Sequence, residues 1–77
     1  MWTEYIVKPF SGKYTGKHRR KQAAYDDAQS RTLHGFNNPS HTVYKAVHHT
    51  DTGMLDLIPL TTYWYDKELD KLQWDKD

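Results

Sequence analysis

Five cations fall in the nine residues from Lys13 to Lys21: Lys13, Lys17, Arg19, Arg20 and Lys21, with Gly12, Tyr14, Thr15, Gly16 and His18 around them. Glycines let backbone amides approach an anion closely, so phosphate binding is the first chemistry to consider. A nucleotide-hydrolysing P-loop needs glycine, four residues, then Gly-Lys-Ser/Thr, because a wide nest wraps the phosphates while a hydroxyl holds magnesium. Here three residues separate Gly12 from Gly16, and His18 stands where the hydroxyl belongs. Nucleotide hydrolysis is therefore not expected. What survives is a patch that can exchange counterions with a nucleic-acid backbone, with Tyr14 available to stack on a base.

Other constellations carry less. His18, His34, His41, His48 and His49 could ligate a metal, but His48 and His49 are strand neighbours that point to opposite faces. Surface or strand-edge histidines that titrate near neutral pH are the expectation, with no metal and no other cofactor. Ser11, Ser30 and Ser40 lack a glycine-flanked nucleophile elbow and there is no cysteine, so no catalytic residues are assigned and an enzyme is not expected. The aromatic run Tyr63-Trp64-Tyr65 and the later Trp74 are different in kind, since Trp, Tyr and Arg dominate protein-interface hot spots.

The elements that would position these groups follow from periodicity. Trp2 to Pro9 alternates as a strand, with Trp2, Glu4, Ile6 and Lys8 on one face and Thr3, Tyr5 and Val7 on the other; Trp2 is then either covered or free for contact. Ser11 to Gly16 reads as a loop. Lys17 to His34 is helical in composition, with Ala24, Ala28 and Arg31 on one stripe flanked by Tyr25 and Leu33, and Gly35 placed as a left-handed cap. His41 to His49 alternates again, Thr50-Asp51-Thr52-Gly53 signals a hairpin, and Met54 to Ile58 returns with Leu55 and Leu57 buried and Asp56 in solvent. Tyr65, Leu69 and Leu72 recur at helical spacing, which predicts a short helix over 66–74. The fold class expected is α+β in one domain over 1–77: order β-α-β-β-α, a three-stranded largely antiparallel sheet packed by one long and one short helix.

Length and charge limit the rest. A 77-residue domain without cysteine has no disulfide to supplement a core worth about 3–5 kcal/mol, and it suits a reducing, cytoplasmic compartment. The first eight residues contain Glu4 and Lys8, which leaves no signal-peptide apolar region, and no membrane contact is expected. Net charge is only +1, but residues 1–48 carry +5 and residues 49–77 carry −4, a polarity able to steer a partner of either sign.

These features point to a small non-catalytic binding protein, an adaptor or inhibitor that docks on another protein, with a nucleic-acid-binding module as the alternative. No motif identifies a family; in size and polarity alone the chain is similar in type to small accessory proteins of phages and mobile elements that act on host proteins. The candidate binding residues are Lys13, Lys17, Arg19, Arg20, Trp64 and Trp74.

Overall fold

A computed structural model describes residues 1–13 and 16–76. The chain forms β1 (Trp2–Pro9), β2 (Gly16–His18), α1 (Lys21–His34), β3 (His41–His48), β4 (Leu55–Asp66) and β5 (Lys71–Lys76). All neighbours pair antiparallel in the order β2-β1-β3-β4-β5, and α1 lies on one face of this sheet. Among the described residues, the expected three-stranded sheet with two helices is thus replaced by five strands and one helix.

The second helix fails for a local reason. Asp66 Oδ1 accepts the backbone N–H of Glu68 at 3.0 Å and of Leu69 at 3.2 Å, and Asp70 sits at φ 54°, so residues 67–70 turn back instead of continuing as a helix. Tyr65 then opposes Leu72 across the β4–β5 hairpin, while Leu69 is left exposed at its tip. The three residues that mimic a helical stripe are two cross-strand partners and a turn residue. Aromatic and β-branched types in Thr61–Tyr65 suit the pleated surface better than a helix.

The extra strand at the other edge is Gly16–His18, expected as the end of a loop and the start of the helix. The β1–β2 hairpin places Gly16 opposite Val7, Lys17 opposite Ile6 and His18 opposite Tyr5, so α1 begins at Lys21 and not at Lys17. A Cβ on Gly16 would run into Asp27 Oδ2, so a larger residue there would push that carboxylate off His18.

Ala24, Ala28 and Thr32 are the residues of α1 buried on the sheet, spaced four apart; Arg31, expected on that stripe, is largely in solvent. Small side chains let the helix settle on Val7, Val43 and Tyr63, with Tyr5, Tyr25, Leu60 and Leu72 closing the rim. Leu60 reaches this layer through a bulge between Val43 and Tyr44, where β4 carries an additional residue. The same irregularity tolerates Pro59, which lies on a stretch of β4 that β5 does not pair.

Gly35 does not cap α1 in the left-handed region: its φ is −74°, and Asn37 and Asn38 take φ 60° and 46° instead. Gly35 is needed for space, since a Cβ there would lie 2.5 Å from the Arg31 carbonyl oxygen and 2.9 Å from Pro39 Cδ. Gly35→Ala is therefore expected to cost about 1–3 kcal/mol by overpacking, despite an allowed φ. A thermal melt indistinguishable from wild type would refute that cause.

The helix spans about 21 Å at 1.5 Å per residue, whereas the molecule is 48 Å long. It therefore cannot cover the distal β3–β4 hairpin. That hairpin is present, closed by Gly53 N–H to the His49 carbonyl at 2.7 Å and His49 N–H to the Met54 carbonyl at 2.9 Å. Its apolar residues are not buried as expected, however: Leu55 is 43% exposed and Leu57 only half-buried, while Asp56 is in solvent. Among the described residues, no helix is long and apolar enough to cross a membrane.

Candidate binding face

Strand alternation and register decide which side chains share the sheet face without a helix. Trp2, Glu4, Ile6 and Lys8 of β1 lie there with Lys17 of β2, Thr42, Tyr44, Ala46 and His48 of β3, and Leu55, Leu57, Thr62 and Trp64 of β4. Although no second layer covers this face, Ile6 is 1% exposed and Ala46 fully buried. Longer neighbours carpet them. Tyr44 and Lys17 oppose Ile6 directly, and Leu57 opposes Ala46.

One end of the face is an ordered stack. The His48 ring lies parallel on the Trp2 indole, centroids 3.9 Å apart and planes within 3°, and the Arg19 guanidinium carbon sits 5.4 Å from a Trp2 ring centroid. Arg19 reaches Trp2 from the end of β2 and His48 reaches it from β3, because β1 runs between those strands. His48 Nε2 is 2.6 Å from Glu4 Oε2, a carboxylate almost fully buried beneath the stack, which fixes the imidazole plane. Trp2 itself remains 41% exposed.

The other end of β1 carries the lysines. Lys8 is the diagonal neighbour of Lys17 on this face, and with Gly12 and Lys13 they line a cleft of about 420 Å³. No ion pair joins any of the three lysines to a carboxylate among the described residues. Gly12 turns the chain at φ 110°, a conformation other residues rarely adopt.

The structure thus divides the predicted basic segment. Lys13 and Lys17 meet at the cleft and Arg19 joins Trp2, whereas Arg20 is the residue before α1, with no side-chain capping bond. Lys21 extends its ammonium 5.8 Å from the Tyr25 ring centre, one helical turn on, which offsets part of the unfavourable position of a cation at a helix start. Tyr14, proposed as a base-stacking ring, lies outside the described residues. The two candidate tryptophans lie on opposite faces: Trp64 opposes Gln73 on the open face, while Trp74 opposes Tyr63 on the helix side and is 59% exposed.

Spacing alone does not mark Lys8 or His48 as part of a binding face. Their signal was the alternation in β1 and β3, which becomes informative only once β2 is known to flank β1.

His18, His41, His48 and His49 are each tied down individually. Among the described residues, no three His, Asp or Glu side chains come together as a metal set. His18 Nε2 lies 2.7 Å from Asp27 Oδ2, whose Oδ1 accepts Arg31 Nε at 2.8 Å, and His49 Nε2 lies 2.8 Å from Asp56. Burial pushes the Asp27 carboxyl up, but the bonds from His18 and Arg31 outweigh it and hold it below the usual value. His41 is buried with Nδ1 2.9 Å from the Pro39 carbonyl and 3.1 Å from Thr32 Oγ1; a carbonyl only accepts, so Nδ1 carries the proton. Burial lowers the pKa of this ring, and the Pro39 bond only partly offsets that.

Both depressed values give the same sign of pH dependence. The His41 contribution is complete above the ordinary value of 6.5 and declines as pH falls toward the lower folded value; the Asp27 contribution is complete above 3.8 and declines further down. Unfolding free energy from urea titrations is expected to fall on acidification from neutral pH, and His41→Gln is expected to flatten the portion around pH 6.5. A variant with an unchanged slope there would exclude His41 as the source.

No protein-family model matches the chain, and neither the curated proteins nor the solved structures contain a match.

Proposed function

We propose that this protein is a binding module that takes single-stranded nucleic acid across the helix-free face of its sheet. The single observation that carries the reading is the Arg19–Trp2–His48 stack at one end of β1, with Lys8, Lys13 and Lys17 at the other. Ammonium and guanidinium groups displace counterions from phosphates, while planar rings engage base faces of any sequence. Only a strand with unpaired bases offers those faces, and a base can stack on the Arg19 guanidinium or take its place over the indole. The acidic half of the chain, including Asp66 and Asp75 toward the β5 edge, would confine the strand to the β2-β1-β3 side.

The test is fluorescence anisotropy of labelled single-stranded and duplex oligonucleotides at about 50 mM salt, where electrostatic affinity is high. Single strands should bind more tightly than duplex, and three or four phosphate contacts should give a log–log salt slope of roughly −2 to −3. No binding to any DNA or RNA at that salt concentration would end this reading.

A second reading, docking on another protein as an adaptor or inhibitor, is favoured by one observation, the exposed Trp74 on an edge strand. Trp74→Ala should leave the melting temperature within a few degrees of wild type and weaken partner capture by tenfold or more. Against it, the exposed apolar residues are spread over the molecule: Met1 and Trp2 at the start of β1, Phe10 and Phe36 in loops, Leu33 on α1, Met54, Leu55 and Ile58 in the distal hairpin, Leu69 at the β4–β5 turn and Trp74 on β5.

A further inference from the structure

β4 is paired on both sides only in its second half. β3 lies beside it from Leu55 to Tyr63, whereas β5 joins only from Thr61 to Asp66, and among the described residues no strand lies on the outer side of 55–60. Antiparallel pairing turns the backbone groups of successive residues to alternate sides. His49 N–H donates to the Met54 carbonyl at 2.9 Å, so Met54, Asp56 and Ile58 present theirs to β3, and Leu55, Leu57 and Pro59 present theirs outward. Proline sits at an outward position, where its missing donor removes no bond to β3. The N–H groups of Leu55 and Leu57 are left as a template for another strand.

Side chains on this stretch are uncovered as well: Leu55 and Ile58 are exposed and Leu57 is half-buried. The residues of the edge indicate its partner. An antiparallel copy of 55–59 centred on Leu57 sets Leu57 against Leu57, Leu55 against Pro59 and Asp56 against Ile58. Opposed residues share a face, so Leu55, Leu57 and Pro59 of both copies join into one apolar stripe on the helix-free side. Each Leu57 N–H meets the Leu57 carbonyl of the other copy, and each Leu55 N–H meets a Pro59 carbonyl. Centring on Asp56 instead would put two carboxylates directly opposite, which is destabilising. The favoured register also carries the hairpin tip with Asp51 up to Lys76, which pairs Thr61 at the end of β5, so opposite charges meet there. From that point β5 occupies the edge, which stops the pairing at a single partner.

We propose that the 55–59 edge of β4 pairs antiparallel with the same edge of a second copy of this chain, giving a closed two-fold dimer with one sheet running through both. Neither the pairing nor its test depends on nucleic acid. Sedimentation equilibrium of the full chain alone, over about 10 µM to 1 mM, covers the affinities of a small interface. The mass should rise from one chain toward two and no further. Amide hydrogen exchange, read residue by residue over the same range, should slow at Leu55 and Leu57 as concentration rises, while Leu72 and Trp74 on the β5 edge keep their rates.

Leu57→Lys sets two ammonium groups face to face on the two-fold axis and should weaken association at least roughly tenfold. Leu69→Lys, at the exposed β4–β5 turn, should leave it unchanged. Melting curves of both variants in dilute solution show whether each is folded, and the wild-type exchange profile decides the matter if Leu57→Lys is not. A chain that stays monomeric at the highest concentration would overturn the proposal. So would a dimer in which Leu55 and Leu57 exchange as fast as in dilute solution, a folded Leu57→Lys variant that dimerises like wild type, or a mass that climbs past two chains.

Discussion

Ile6→Ala is expected to remove about 2–4 kcal/mol of unfolding free energy, most of the ~3–5 kcal/mol that a domain of this size possesses. The substitution creates a cavity on the sheet face that has no helix, where intuition would assign a solvent-facing residue and a small cost. Ile6 is nevertheless 1% exposed, enclosed in the middle of the sheet by strands on both sides and by the side chains of Lys17 and Tyr44 opposite it. Neither neighbour is free to collapse into the void, since each backbone is fixed by its ladder and Tyr44 is too rigid to refill a methyl-sized gap. The measurement is a urea transition of the variant against wild type, read by far-ultraviolet circular dichroism. A loss below about 1 kcal/mol would mean that the carpet of side chains relaxes and the face is effectively solvent. Leu57→Ala makes the comparison internal: Leu57 is half-buried on a stretch of edge, and its truncation should cost less than that of Ile6.

The parts of this fold legible in the sequence were those fixed by local chemistry. The β1 alternation, the Thr50–Gly53 turn with Gly53 at φ 73°, and the body of α1 all follow from residue type and spacing. The parts that were not legible depend on partners distant in sequence. Gly16–His18 is too short to show a period, and it becomes a strand only because Tyr5, Ile6 and Val7 offer it a ladder. Residues 66–74 satisfy a helical spacing and a hairpin equally well, and pairing of Lys71–Lys76 with Thr61–Asp66 decides between them. The binding face inherits both errors. A reading that begins α1 at Lys17 places Arg19 and Arg20 together on a helix, whereas the β2 edge sends Arg19 to the open face and leaves Arg20 at the helix start. Trp64 and Trp74 likewise separate because Gln73 is the cross-strand partner of Trp64, which turns the next residue, Trp74, to the opposite face of the sheet.

That separation supplies the functional prediction with the largest expected effect. Trp2→Ala should weaken binding of a single-stranded oligonucleotide by roughly 5- to 150-fold, the range corresponding to one lost base stack of about 1–3 kcal/mol. Arg19→Ala should weaken it as well, and should also reduce the magnitude of the salt slope by about 0.7, one backbone contact's worth on a single strand. Arg20→Ala, adjacent in sequence but at the start of α1, should do neither, and Trp74→Ala, on the helix side, should leave strand binding unchanged. Trp2 has a structural task too, since it stacks on His48 at the end of β1, so the variant must be shown to melt near the wild-type temperature before its affinity is compared. Trp2→Phe guards against loss of fold as the explanation, because a smaller ring keeps a stacking surface and should recover much of the affinity. If Arg19→Ala and Arg20→Ala weaken binding equally, with Trp2→Ala inert, the basic residues act as an unordered cloud of charge and the stack has no part in recognition. If Trp74→Ala alone abolishes binding, the strand lies on the helix side and the assignment of the open face is wrong.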